Sequence, residues 1–449
     1  MRIRLKEIVR KMLPSPLLSV YHLTLAHFGA IVSGHPSRKL LVIAVTGTKG
    51  KSSTTEMLNA IFEEAGHKTA LLNSIRIKIA ESTDPNMMRM SMPGRFFIQR
   101  FLREAVGKKC FVAILEMTSE GAAQHRHRAI ELDALVFTNL APEHIESHGS
   151  YKAYADAKFE LGRQLARSRK RPRVVVANAD DPESARYLAL KVERVLPFSL
   201  SAHAPMYADE KGGYFTLENT KIHVRLPGEF SLKNALAAAT LARALNIAPA
   251  VIAHALQKLM HIPGRAERIE EGQNFTVVVD YAHTPDSLEA IYKAYGVARK
   301  ICVLGSMGGS RDSWNRPVKG RIASEYCAEV ILTNEDPCDD DPAAIIEQMR
   351  SGVVGKEPLI FIDRREAISK AFEIALSLSK SIHQPLQKAR GNQNDIVVLI
   401  TGKGTDPWIY GARGTKIQWS DARVAREELA KLAASRKARL GGETGIMTS

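Results

Sequence analysis

At 449 residues the chain is longer than one hydrophobic core usually serves, so two or three domains are expected. Its 45% hydrophobic and 25% charged residues are those of an ordinary soluble globular protein, and the formal net charge of +15 suits anionic ligands such as nucleotides while fitting nucleic-acid contact equally well. Cysteines 110, 302, 327 and 338 are scattered with no Cys-x-x-Cys pair, which argues against a zinc ribbon or a disulfide framework and for a reducing, cytoplasmic setting.

The basic start, Arg2 to Lys11, could be mistaken for that of a signal peptide. The apolar residues 17–32 that follow are interrupted by Tyr21, His22, Thr24 and His27, lack a small-residue cleavage site, and are too short and polar to span a bilayer. They are expected to form an amphipathic helix packed on the first domain, with a helix lying on a membrane surface as the alternative. After Pro36-Ser37-Arg38, apolar runs at 40–46, 111–116, 134–138, 173–178 and 194–198 alternate with helix-like segments, which predicts an α/β architecture with a mostly parallel sheet.

Residues 41–58 are the most informative stretch: an apolar strand, the turn Gly47-Thr48-Lys49-Gly50-Lys51-Ser52-Ser53, then a helix. Gly47 and Gly50 let backbone N–H groups face a phosphate, Lys51 can reach the β/γ-phosphates, and Ser52 or Ser53 can hold Mg²⁺. The loop is shorter than the general Walker A pattern, and a plain strand-turn-helix corner is the bland alternative. Downstream, Glu116 ends a strand where open α/β sheets bind ligands. A further strand runs into Thr138-Asn139-Leu140-Ala141-Pro142-Glu143-His144, and Tyr154-Ala155-Asp156-Ala157-Lys158 follows. Taken singly, His144 suits a structural role and Lys158 a solvated helix face.

Residues 229–260 suggest two helices rich in alanine and leucine, ending near a hinge at Pro263-Gly264. Strands at 275–280, 300–305, 329–333, 358–362 and 395–401 then alternate with helices, which describes a second, Rossmann-like doubly wound domain. The expected division is an N-terminal extension 1–38, an ATP-binding domain 39–263, a C-terminal domain 264–436 and a disordered tail 437–449. No basic run is interleaved with aromatics beyond the start, which argues against a nucleic-acid role.

Together and in this order, the short phosphate loop at 47–53, Glu116, the Asn-x-x-x-Glu-His segment at 139–144 and the Tyr-x-x-Ala-Lys motif at 154–158 resemble the Mur ligase family of ATP-dependent amide-forming enzymes. The resemblance runs through residues 40–410. It implies that Glu116 and His144 are Mg²⁺ ligands and that Lys158 is carbamylated, which turns a cation into the hard oxygen donor that Mg²⁺ prefers. It also implies ATP contacts by Asn234, Arg265, Asp280 and His283, with a helix N-cap as the alternative for Asn234. The wording Asp280-Tyr281-Ala282-His283-Thr284-Pro285 favours the muramyl-peptide branch over the folate ligases, as do the loops around Arg311, around Glu335 and Asp336, and at Gly402 to Asp406. These loops, with Ser91, Arg95 and Ser119, occupy the places where that branch meets its two substrates.

The resemblance therefore implies a cytoplasmic, monomeric ligase of peptidoglycan biosynthesis. It would join a carboxylate of a UDP-N-acetylmuramoyl-dipeptide-like precursor to an amino acid through an acyl phosphate, with closure about the Gly264 hinge excluding water. The alternatives are a folate or poly-amino-acid elongating ligase of the same family, and a nucleotide-dependent subunit of an amidotransferase-like complex. Two departures stand out. Where diaminopimelate-adding enzymes have Asp-Asn-Pro-Arg, this chain has Glu335-Asp336-Pro337-Cys338, which points to an amine-ended acceptor such as lysine. Only about forty residues precede the phosphate loop, so most of the family's uridine-nucleotide domain is expected to be missing. Glu120 also stands where many relatives have histidine.

Overall fold

Aliphatic residues with no polar interruption make β1 (Leu41–Thr46) a strand buried on both faces. In the computed structural model, which describes residues 15–88, 90–143, 145–309, 313–382 and 395–444, seven further strands join it, and those at its centre are equally buried. The seven are β2 (Thr69–Leu72), β3 (Arg76–Ile79), β4 (Ser82–Pro85), β5 (Val112–Glu116), β6 (Ala134–Phe137), β7 (Val174–Asn178) and β8 (Arg194–Phe198). The strands lie in the order β4-β3-β2-β5-β1-β6-β7-β8, antiparallel only at β3 and β4. In register, Val45 stands beside Glu116 and Thr46 beside Phe137, so three strand ends carry their last residues to one level. One face of the sheet is covered by the helices Arg95–Gly107 and Tyr151–Arg167, whose Phe101, Leu102, Leu161 and Leu165 pack on Val42, Ala113 and Leu135.

The chain forms two compact units. The first holds the residues up to Met206, with Tyr214–Val224 and Ser231–Leu259; the second holds Tyr207–Gly213, Arg225–Phe230 and the chain from Met260 on. The strands β9 (Tyr207–Asp209), β10 (Gly212–Leu217) and β11 (Thr220–Val224) make a small sheet.

The second unit is a six-stranded sheet of β12 (Glu267–Ile269), β13 (Thr276–Asp280), β14 (Arg299–Leu304), β15 (Glu329–Thr333), β16 (Leu359–Phe361) and β17 (Ile396–Thr401), in the order β12-β13-β17-β14-β15-β16. Only β12 runs antiparallel. Alternate strand residues face opposite ways: Val278, Cys302, Leu304 and Leu399 pack on one set of helices, and Val277, Val279, Ile301 and Val398 on the other. That two-sided cover is the doubly wound arrangement. A ribbon of β18 (Trp408–Tyr410) and β19 (Lys416–Gln418) follows.

Two expectations are corrected. The chain after Arg436 is not a disordered tail as far as Thr444, because the helix Asp421–Thr444 continues through it on a proline-free run rich in Ala, Leu, Lys and Arg. The helix Ser15–Val32 does pack on its domain, through Ala26, Gly29 and Ala30, but it is not amphipathic, since its outer face is apolar as well. No helix among the described residues is long and apolar enough to cross a membrane.

Candidate active site

The turn after β1 needs its glycines. Gly47 has φ 148°, and a Cβ placed on it would lie 1.9 Å from Thr138 Oγ1; Gly50 has φ 81°, and its Cβ would lie 2.1 Å from Asn234 Oδ1. Gly50 is also the N-cap of the helix Lys51–Glu64 and has no side-chain cap, which leaves the first N–H groups of that helix available to an anion.

The loop is held from the end of β6. Asn139 grips Lys49 at two points: its Oδ1 accepts from Lys49 N at 3.0 Å, and its Nδ2 donates to Lys49 O at 3.1 Å. Thr138 Oγ1 donates to the same carbonyl at 2.6 Å. Thr48 N donates to Asn139 O at 2.9 Å, and its hydroxyl bonds the Tyr154 phenol at 2.8 Å. Sequence reasoning quoted Thr138, Asn139 and Tyr154 only as parts of motifs. Their role as braces was hidden because their partners, the Lys49 backbone and the Thr48 hydroxyl, lie far away in the sequence.

Around this loop stand the polar groups that the sequence singled out. Ser52 Oγ donates to Glu116 Oε2 at 2.8 Å, and Ser74 N donates to the same oxygen at 3.0 Å. Lys51 Nζ folds back on Thr48 O at 2.8 Å, while Ser53 is buried in the same turn. Lys158 Nζ reaches in from the helix Tyr151–Arg167 to donate to Gly47 O at 2.6 Å, with the Tyr154 ring 4.8 Å away. Burial, helped by the Lys51 charge and opposed by Glu143, Glu120 and Glu116, pushes Lys158 down to about 7. An amine neutral near physiological pH is a nucleophile, which an ordinary lysine is not. His144 lies outside the described residues.

The donor set suits a hard divalent cation. Among the described residues a cation here would meet the Ser52 hydroxyl and the Glu116 carboxylate, which are already in contact, with phosphate oxygens and water to complete its shell. That is how proteins usually hold Mg²⁺ beside a nucleotide.

A second group lies at the start of the helix Arg95–Gly107. Arg95 and Arg126 are half-buried neighbours that donate to the Gln124 and Met92 carbonyls, the Gln124 side chain and the Met90 sulfur. Neither guanidinium pairs with a carboxylate among the described residues, and Arg95 Nε is buried without a partner. Burial and the Arg126 charge hold Arg95 below the usual guanidinium range. Ser91 is buried nearby in sequence, and Ser119 Oγ bonds His148 Nε2 at 3.1 Å. Arg126 was missed in the sequence, where it sits in a His-Arg-His-Arg run that resembles a solvated face.

Comparison with known proteins identifies the family. The Mur ligase middle domain matches residues 45–242, and the Mur ligase glutamate ligase domain matches residues 264–404. A UDP-N-acetylmuramyl-tripeptide synthetase of Roseiflexus sp. (strain RS-1) is 35% identical over 93% of this chain and 84% of its own length. The chain belongs to the Mur ligase family. A UDP-N-acetylmuramoyl-L-alanyl-D-glutamate–2,6-diaminopimelate ligase of Halalkalibacterium halodurans is 31% identical over 88% of this chain and 79% of its own. Among solved structures, one ligase of that same description covers 88% of this chain and 79% of its own at 26% identity, with a TM-score of 0.56. A Mycobacterium tuberculosis folylpolyglutamate synthase complexed with ADP covers 90% of this chain and 96% of its own at 17% identity, with a TM-score of 0.67, and shares the fold. This Mur ligase is thus an ATP-dependent enzyme of the class that forms carbon–nitrogen bonds in peptidoglycan precursors.

In the second unit of the ligase the remaining predicted residues gather at the carboxyl ends of β13, β15 and β17. Asp280 accepts from Ala266 N and Ala282 N, each at 2.6 Å, and burial pushes its carboxyl up against the opposing Arg265 charge. Arg265 lies over the Tyr281 ring at 4.6 Å, and His283 Nδ1 donates to Tyr281 O at 2.8 Å. Asp336 is fully engaged in structure: Lys403 donates to it at 2.8 Å and Tyr410 N at 3.0 Å, while Lys403 also pairs with Asp406 at 3.3 Å. Glu335 is different, since its buried Oε2 has no partner among the described residues. That oxygen lies 2.5 Å from where a Cβ on Gly402 would be, and Gly402 has φ 110°. The buried Lys319, which donates to His283 O and Gly305 O, was not foreseen. Arg311 lies outside the described residues.

Proposed function

We propose that this Mur ligase joins a carboxylate of a UDP-N-acetylmuramoyl-dipeptide-like donor to the α-amine of a diamino acid ending in an amine. The observation that carries the reading is the convergence of Lys51, Ser52, Glu116 and Lys158 on one phosphate loop at the ends of β1, β5 and β6. The loop amides and Lys51 would grip the triphosphate, and the Thr138–Asn139 brace keeps the loop in place without reorganisation during reaction. Mg²⁺ bound at Ser52 and Glu116 would neutralise charge on the phosphates. The donor carboxylate attacks the γ-phosphate, ADP leaves, and the amine then displaces phosphate from the acyl phosphate as the C–N bond forms. No covalent nucleophile is required of the protein.

Lys158 has a second task in this reading. Its neutral amine attacks carbon dioxide, an N–C bond forms and a proton leaves to solvent, giving a carbamate. Proximity to Gly47 O then places an anionic oxygen donor beside the loop. The Arg95–Arg126 pair, two desolvated cations without a carboxylate, suits the acidic donor, and Asn234 beside Gly50 suits the nucleotide end. Arg265, Asp280 and His283 would contact ATP from the second unit, as the family resemblance implies.

For the acceptor, the unpartnered Glu335 oxygen favours an ammonium, and the segment 335–338 offers no guanidinium to a distal carboxylate. Phosphate release with ATP, Mg²⁺ and UDP-N-acetylmuramoyl-dipeptide, measured with lysine, ornithine or meso-diaminopimelate and paired with product mass, tests both halves. Lysine or ornithine should be preferred. Preference for meso-diaminopimelate overturns the acceptor assignment, and turnover indifferent to any amine overturns the ligase reading in favour of a nucleotide switch.

A further inference from the structure

The helix Ser15–Val32 contains no Asp, Glu, Lys or Arg. Ala26, Gly29 and Ala30 form its buried side, and Gly29 lets it close on Phe96. The opposite side carries Leu17, Val20, Tyr21, Thr24, Phe28, Ile31 and Val32, which recur at the three- and four-residue spacing of a single helix face. All are exposed, with Leu17 at 56%, Val20 at 60% and Ile31 at 62%. Thr24, the polar member, turns its hydroxyl onto Val20 O at 2.9 Å, which conceals its polarity. Phe96 of the neighbouring helix, 46% exposed and edge-on to Phe28, widens the stripe.

Single exposed apolar residues are normal, but a contiguous stripe along five turns of helix is not. A helix apolar on both sides needs cover on both, and its own domain covers one. The charge along the chain and on the neighbouring helix says what covers the other. The eleven residues that open the chain carry Arg2, Arg4, Lys6, Arg10 and Lys11 against Glu7 alone. Exposed Arg38 and Lys39 follow the helix, and exposed Arg100 and Arg103 stand on the helix packed beside it, against Glu104. An apolar stripe with a basic segment before it in sequence and exposed cations after it and on the neighbouring helix suits the boundary of an anionic bilayer, where acyl chains meet the stripe and headgroups meet the arginines and lysines. A second copy of the chain would bring the same cations together and repel.

We propose that this helix lies flat on an anionic lipid surface through its Leu17–Val32 face and holds the ligase at the membrane without spanning it. The inference does not depend on which substrates the enzyme takes.

The test is co-sedimentation of the full chain with vesicles of equal parts phosphatidylglycerol and phosphatidylcholine, and with phosphatidylcholine alone. Binding to the anionic vesicles should be at least tenfold stronger than to the neutral ones and should weaken as salt rises. The triple variant Val20→Asp, Phe28→Asp, Ile31→Asp changes only exposed side chains; it should keep the wild-type melting temperature and ATP binding yet lose at least tenfold in vesicle binding. A wild-type chain that stays in the supernatant with every vesicle, or a triple variant that sediments as well as wild type, overturns the proposal. So does a dimer in light scattering that the triple variant abolishes while vesicles bind neither form, which would assign the stripe to a second copy.

Discussion

Gly47→Ala tests whether the loop geometry underlies nucleotide binding. At φ 148° an alanine is strained, and its Cβ would sit 1.9 Å from Thr138 Oγ1. Thr138 must then swing away and give up its bonds to Lys49 O at 2.6 Å and Thr46 O at 3.3 Å. Two lost hydrogen bonds at about 1 kcal/mol each, with backbone strain of about 1 kcal/mol or more, give a loss of about 3 kcal/mol. If that falls on the ATP-bound form, the dissociation constant rises roughly 150-fold. Isothermal titration with ATP and Mg²⁺ measures it, with Gly34→Ala as a control, since Gly34 shares a positive φ but has nothing within 4 Å. Adding Thr138→Ala to Gly47→Ala should weaken binding no further, because the same bonds are already gone. A Gly47→Ala variant within threefold of wild type, or effects of the two changes that simply add, would refute the reasoning.

Lys51→Ala should lower ATP-dependent product formation by at least about a hundredfold, the scale of losing one charge-stabilising group, with the melting temperature unchanged. Lys158→Ala should be inactive and regain part of its activity with millimolar acetate, which supplies the missing carboxylate; loss without any rescue would count against the carbamate. His127 is fully buried with neither ring nitrogen partnered among the described residues, and burial pushes it down to about 3. The folded state therefore binds fewer protons than the unfolded one below the ordinary histidine value of about 6.5, so stability is intact above that pH and is lost as pH falls toward 3. At pH 5 the loss is about 2 kcal/mol. Urea unfolding at pH 7 and pH 5 should show a smaller acid loss for His127→Leu than for wild type, and equal losses would exclude the assignment.

Much of the sheet framework was legible because buried parallel strands are continuous aliphatic runs. The predicted runs at 134–138, 173–178 and 395–401 match β6, β7 and β17 within a residue or two. The short strands β3, β4, β12, β18 and β19 were not, since Ser82–Pro85 and Lys416–Gln418 are exposed and carry no hydrophobic period. In the site, Gly47, Lys51, Ser52, Glu116 and Lys158 were visible as residue types at strand and helix ends. Glu335 was visible through its motif, but its unpartnered buried oxygen, like the half-buried setting of Arg126, could be known only from the fold. The engagement of Asp336 by Lys403 was equally out of reach, because it joins positions 67 residues apart on separate loops.

The central claim is that ATP activates a carboxylate of the donor. It is tested most directly by following the oxygens: UDP-N-acetylmuramoyl-dipeptide labelled with ¹⁸O in its reacting carboxylate is turned over with ATP, Mg²⁺ and lysine, and the released phosphate is examined by mass spectrometry. One ¹⁸O in each phosphate, in step with amide product, is the outcome that activation as an acyl phosphate predicts. Unlabelled phosphate would contradict the account, because ATP would then have been cleaved by water.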